Sequence, residues 1–146
     1  MSKTTYRYLA RLEPDPEGGF VVTFPDVPEA ITGGADEAEA RANAAEALGL
    51  ALRGILQLGR TLPRPAAKGR GLVPVAIDPE TAFRLAVIEA FGTAGISKSE
   101  LARRLGRGET QARRVLDPDH PTGLPLMKAA LAVLGKQAVV SIMDAA

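Results

Sequence analysis

Apolar and polar residues alternate from Thr5 to Leu12, with Tyr6, Tyr8, Ala10 and Leu12 on one side and Arg7 and Arg11 on the other. A period of two predicts a half-buried strand. The segment 13–19 holds two prolines and two glycines and predicts a loop. Phe20, Val22 and Phe24 then share one face of a second strand, so the pair predicts an antiparallel hairpin. Pro25 and Pro28 interrupt the pattern, because proline donates nothing to a ladder. A short third strand is expected over 29–32, with Gly33 and Gly34 as the turn after it. From Asp36 to Leu58 the period becomes helical. Ala38, Ala42, Ala45, Leu48, Leu52 and Ile55 predict the stripe that covers the sheet. Gly59 and the Leu-Pro-Arg-Pro run at 62–65 end this helix, and residues 66–71 predict an exposed connector. A fourth strand is expected over 72–77, at an edge or a bulge because of Pro74.

Beyond Asp78 the pattern is helical. Phe83, Val87, Ala90 and Phe91 predict the buried face of one helix, ended by Gly95. Residues 97–116 predict a helix-turn-helix. Leu101, Ala102 and Leu105 line the first helix, Gly106 allows a sharp left-handed turn, and Ala112, Val115 and Leu116 line the second. Arg107 stands where such motifs usually carry an apolar residue, and Gly108 is a weak helix start. Three N-terminal caps are predicted: Asp36 with Glu39, Asp78 before Pro79, and Ser97 with Glu100. A last helix is expected over 124–134 through Leu126, Ala130, Val133 and Leu134. After it, 137–143 reads as an apolar terminal strand with no partner in its own domain. The fold class expected is α+β: a β-β-β-α-β domain over 1–77, then a helical DNA-binding and dimerisation domain over 78–146.

Charge sharpens this division. The net charge of the 146 residues is only +1. Yet residues 13–46 carry nine carboxylates against Arg41 alone, and residues 98–114 carry six bases against Glu100 and Glu109. One end suits a basic partner and the other a polyanion. The chain has no cysteine, which excludes disulfides and thiolate metal sites and fits a cytoplasmic location. No signal peptide or membrane span is expected.

On the second helix of the motif, Glu109, Thr110, Gln111, Arg113 and Arg114 face away from the apolar side, with Lys98 and Arg107 nearby in sequence. These seven are the candidate DNA contacts, since such side chains reach base edges and phosphates in a major groove. Catalysis finds little support. Metal-dependent nuclease chemistry needs convergent carboxylates, whereas Glu13, Asp15, Asp26 and Asp36 lie mostly in turns or at a helix start, where acids have local jobs. His120, the single histidine, lies in a loop with no nucleophile motif to serve.

With both halves placed, the chain resembles the HicB antitoxins of bacterial toxin–antitoxin pairs. The resemblance is carried by Glu-Gly-Gly-Phe-Val-Val-Thr-Phe-Pro-Asp-Val-Pro at 17–28, Ile-Thr-Gly-Gly-Ala-Asp-Glu-Ala at 31–38, Ala-Glu-Ala-Leu at 45–48 and Gly-Arg-Thr-Leu-Pro-Arg-Pro at 59–65. Glu29 and Ala35 depart from it, where the family usually has glycine and commonly has threonine. The resemblance implies a partial ribonuclease-H-like N-terminal domain that neutralises a small HicA-like ribonuclease toxin. It also implies a C-terminal domain that represses the operon by binding operator DNA. No cofactor and no enzymatic activity are expected. Asp26, Glu29 and Asp36 are the candidate toxin contacts, and a homodimer or higher oligomer is expected through the terminal strand. The alternative is a stand-alone transcriptional regulator whose N-terminal domain senses a ligand or only dimerises.

Overall fold

The computed structural model describes residues 3–145. The chain divides into two compact units, with the boundary between Asp78 and Pro79. The first unit contains β1 (Arg7–Pro14), β2 (Phe20–Thr23), β3 (Ile31–Gly34), α1 (Glu37–Gln57) and β4 (Leu72–Ala76). The four strands form one antiparallel sheet in the order β3-β2-β1-β4. β4 is an edge strand, and there Pro74, opposite Leu9, has a tolerated place. The β1–β2 hairpin closes through the predicted loop. Asp15 Oδ1 accepts the Glu17 N–H at 2.9 Å, and Gly18 and Gly19 adopt positive φ values of 107° and 75°.

Tyr8, Ala10, Val22 and Val75 are buried in the core of this unit, together with Leu48, Leu52 and Ile55 of α1. Two expectations shift here. The third strand begins and ends two residues later than expected, and Gly33 and Gly34 are its last residues rather than a turn. A Cβ on Gly33 would lie 2.5 Å from the Phe20 carbonyl oxygen, and one on Gly34 would lie 2.4 Å from the Ala40 nitrogen. Only glycine lets the strand pass so close to β2 and to the first turn of α1. The early part of the α1 stripe is also displaced. Ala40 and Ala44 are buried, whereas Ala38 and Ala42 are exposed. In an alanine-rich helix, apolar spacing carries little directional information, and the approach of Gly34 decides which alanines face inward.

The connector after α1 is tied down at three points. Gly59 ends the helix with φ of 73°, and the Arg60 N–H reaches back to the Ile55 carbonyl at 3.1 Å. Tyr8 Oη donates to the Pro63 carbonyl at 2.6 Å. Asp26 Oδ2 accepts the N–H groups of Ala66 and Ala67 at 2.9 and 2.8 Å.

The second unit is helical, with α2 (Pro79–Ala94), α3 (Lys98–Leu105), α4 (Glu109–Val115) and α5 (Leu124–Val133). Its core is one cluster built from Val87 and Ala90 of α2, Leu101 and Ala102 of α3, Ala112 and Val115 of α4, and Met127, Ala130 and Leu131 of α5, closed by Leu134. On α5 the deepest residues are Met127, Ala130 and Leu131, while the expected Leu126 and Val133 pack only at the margin. Phe83 and Phe91 of α2 are likewise marginal.

The expected terminal strand does not form within the chain. Residues 136–145 belong to no helix or ladder, and Val139 and Ile142 are 83% and 90% exposed. The reason is the one visible in the sequence: a strand needs a ladder, and the unit that ends in α5 is helical.

Candidate nucleic-acid and partner surfaces

The segment from α3 to α4 is built by local rules. Ser97 caps α3, its Oγ accepting the Glu100 N–H at 3.0 Å. Gly106 then takes the left-handed conformation, φ 66° and ψ 32°, and the Arg107 N–H bonds back to the Ala102 carbonyl at 3.0 Å. This closure satisfies carbonyls that the helix end would leave bare. α4 starts more loosely, because its N-cap is Gly108 and no side chain caps it. Buried Leu101, Ala102, Ala112 and Val115 turn the inner faces of α3 and α4 into the core.

All seven predicted DNA-contacting residues are exposed: Lys98, Arg107, Glu109, Thr110, Gln111, Arg113 and Arg114. They are not equivalent. Glu109 Oε1 accepts the Ser99 hydroxyl at 2.6 Å, which joins the start of α4 to α3, and its Oε2 lies 3.7 Å from Arg113 Nη2. Lys98, Arg107 and Arg114 make no such ion pair among the described residues. Arg103 and Arg104, which lie on α3, both grip Glu100. Arg103 Nε donates to Glu100 Oε2 at 2.8 Å and Arg104 Nε to Oε1 at 2.9 Å. The hydrogen bonds from Arg103, then Arg104, hold the Glu100 carboxyl down at about 2, against an ordinary 4.5. Glu100 therefore serves its two arginines rather than returning a bond to Ser97.

In the first unit the acidic stretch resolves into two kinds of carboxylate. Several have structural work. Asp36 Oδ1 caps α1 through the Glu39 N–H at 2.8 Å, Glu37 pairs with Arg41 at 2.9 Å, and Asp26 clamps the connector. Glu29 lies 3.6 Å from Arg60 and Glu13 lies 3.8 Å from Arg11, both in exposed settings. Of the three expected toxin contacts, Asp26 and Asp36 thus carry backbone hydrogen bonds and Glu29 an exposed ion pair. By contrast Glu39 and Glu46 carry no ion pair among the described residues. With Ala42 and Leu50 they form an exposed stripe on α1 at three- and four-residue steps. Leu50 is 54% exposed, an apolar side chain between acids. The sequence held this signal in the outward spacing 39-42-46-50, but the misplaced alanine stripe hid it.

Among the described residues, no group of three or more His, Asp or Glu side chains could hold a metal ion. His120 belongs to the α4–α5 loop, where its N–H donates to the Asp117 carbonyl at 3.2 Å. Among the described residues, no helix is long and apolar enough to cross a membrane.

The model of the HicB-like antitoxins of bacterial toxin–antitoxin systems matches residues 7–84. Curated relatives extend the match along the chain. Antitoxin HicB 2 of Photorhabdus laumondii is 36% identical over 136 residues, covering 93% of this chain and 95% of its own. Antitoxin HicB of Escherichia coli is 32% identical over 131 residues, covering 90% and 95%. Antitoxin HicB 1 of Photorhabdus laumondii is 32% identical over 136 residues, covering 93% and 86%. The chain belongs to the HicB-like antitoxin family. Its membership accounts for the acidic first unit as part of a toxin–antitoxin system, and the curated matches run well into the helical unit that the family model leaves out.

Proposed function

We propose that this HicB-like chain acts in the cytoplasm as a two-part antitoxin. The first unit, a partial ribonuclease-H-like fold, neutralises a small basic HicA-like ribonuclease without catalysis of its own. A ribonuclease that grips RNA presents cations, and an acidic surface covers them and speeds encounter. The observation that supports this best is the α1 stripe of Glu39, Ala42, Glu46 and Leu50, two unpaired acids beside exposed apolar groups. A few apolar contacts dominate affinity at such surfaces, with charge setting the rate. The test is co-expression of the full chain with its cognate toxin. The wild type is expected to restore growth. A Glu39→Lys/Glu46→Lys variant, shown folded and abundant, is expected to fail. Full rescue by that variant removes the α1 stripe from the toxin surface, and failure of the wild type itself rejects neutralisation.

The second unit is proposed to repress the operon, with α3 and α4 acting as a helix-turn-helix. α4 would be the recognition helix, since Thr110, Gln111 and Arg114 are exposed on it and free of ion pairs. Two copies joined through residues 137–143 would present two such helices to a palindromic operator, about one helical turn apart or a multiple of it. The exposed Val139, Val140 and Ile142 support that pairing, because a second copy of the same segment would complete the missing ladder. Sedimentation of a chain truncated after Gly135 tests it. The truncated protein is expected to be a monomer at micromolar concentration, and a dimer would move the contact elsewhere.

A further inference from the structure

A groove of about 310 Å³ lies within the helical unit, between the first turns of α2 and α5. Pro79, Phe83, Pro121, Leu124 and Met127 give it apolar walls, and Arg84 and Thr122 contribute polar groups. Two atoms set it apart from an ordinary surface crevice. Arg84 Nε and Thr122 Oγ1 are both buried, and neither has a hydrogen-bond partner in the chain. A buried donor left without a partner is costly, so such groups mark places where something else completes the bonding. The Arg84 side chain is only 12% exposed, and its one acidic neighbour is distant. Glu80 Oε2 lies 3.7 Å from Nη2, on a side chain 78% exposed at the rim. The guanidinium therefore holds a positive charge that is poorly compensated at depth. The start of α5 adds to the same polarity, since Gly123 caps it without a side-chain acceptor.

We propose that this groove binds a small monocarboxylate with an apolar body, whose carboxylate accepts hydrogen bonds from Arg84 Nε and Thr122 Oγ1. The volume lies at the small end of ligand sites, which are commonly apolar with a few placed polar groups. A single negative charge fits the single buried cation. A doubly charged phosphate would meet Glu80 at the rim, and an acid without an apolar body would leave the walls of Phe83, Leu124 and Met127 unfilled. The site is independent of the toxin and DNA surfaces proposed above.

The experiment uses the full-length, ¹⁵N-labelled chain titrated with sodium butyrate, sodium acetate and inorganic phosphate at constant ionic strength. Butyrate is expected to give saturable shifts of the Arg84 Nε–H and the Thr122 and Gly123 amide signals, with at least tenfold tighter binding than acetate or phosphate. Thr122→Val, a near-isosteric change, is expected to weaken butyrate binding at least fivefold. Arg84→Lys keeps the charge but loses the Nε–H and is expected to weaken it at least tenfold. Non-saturating shifts with butyrate overturn the site. Shifts unchanged in Thr122→Val overturn the assigned bonds, and that variant serves even if Arg84→Lys fails to fold. Tighter binding of phosphate than of butyrate overturns the carboxylate assignment.

Discussion

The acidic stretch 13–46 and the basic stretch 98–114 are mirror images as counts of charge, and they differ once each charge is followed to its partner. In the acidic stretch, Asp15, Asp26 and Asp36 spend their carboxylates on backbone N–H groups, which shapes turns and a connector. In the basic stretch, cations are held by acids of the same helix, Arg103 and Arg104 by Glu100 and Arg113 more loosely by Glu109. The difference follows from chemistry. A short carboxylate reaches backbone donors next to it, whereas an arginine fork matches another carboxylate. So the acids that remain for a partner stand on the outward face of α1, and the cations that remain stand at the turn and along α4. Charge counts point to the right ends of the chain but to the wrong residues within them.

The largest effect is expected where free cations meet a polyanion. In Arg113→Ala/Arg114→Ala, operator affinity should fall by about two orders of magnitude, since each base-reading arginine contributes about 1–3 kcal/mol. Gel-shift titrations at fixed salt against operator and unrelated DNA measure it. If Arg114 reads a base, Arg114→Ala alone should also narrow the gap between the two DNAs. If it touches only phosphate, both affinities should drop alike. Unchanged affinity in the double variant would remove α4 from the DNA surface.

Next in size is a carboxylate with structural work. Asp26→Ala should destabilise the first unit by about 2 kcal/mol, because it removes the acceptor for two N–H groups in a connector that is otherwise irregular. Urea unfolding of the full chain checks this, and the first unit's transition should move while the second unit's stays. An Asp26 that acted only as a partner contact would change toxin affinity and leave the unfolding midpoint in place.

Much of this architecture was legible. Period-two and helical patterns located every strand and helix of the two units, and the Asp36 and Ser97 caps marked the starts of α1 and α3. What was missed has physical causes. The inner face of α1 is set by close approach at Gly34, which alanine spacing does not encode. The roles of Asp26 and Tyr8 depend on bonds to residues 40 and 55 positions away, Ala66 and Pro63. The segment 137–143 had the composition of a strand but no neighbour, and composition does not supply a ladder. The partner surfaces were legible only as regions, because local partners decide which charged side chain stays free.

The caps of α1 and α4 offer a smaller test of how tightly each surface is set. Asp36→Ala should cost about 1 kcal/mol, since it removes the acceptor of the Glu39 N–H. Gly108→Ser should work in the opposite direction and gain a few tenths of a kcal/mol by capping α4. Thermal unfolding measures both. A Gly108→Ser variant that loses stability would mean that the turn after Gly106 needs glycine for reasons other than the cap.

The smallest effect is the most direct probe of the basic stretch. Glu100 should titrate near 2 by NMR, below its ordinary 4.5, because Arg103 and Arg104 hold the charged form. A depressed folded-state value means that this pairing favours the folded state above about pH 4.5, and that the contribution fades as pH falls from there toward 2. The group is exposed, so salt should screen the coulombic part of the shift. Arg103→Ala/Arg104→Ala should bring the carboxyl back toward 4.5. Operator DNA gives the sharper version of the same measurement. If the two arginines leave Glu100 for phosphates, its pKa should rise on binding. If they stay, it should remain near 2, and the DNA-facing cations are then Lys98, Arg107, Arg113 and Arg114 alone. A Glu100 that titrates normally in the free protein would show that Arg103 and Arg104 were never held, and the contrast between the two stretches would fall with it.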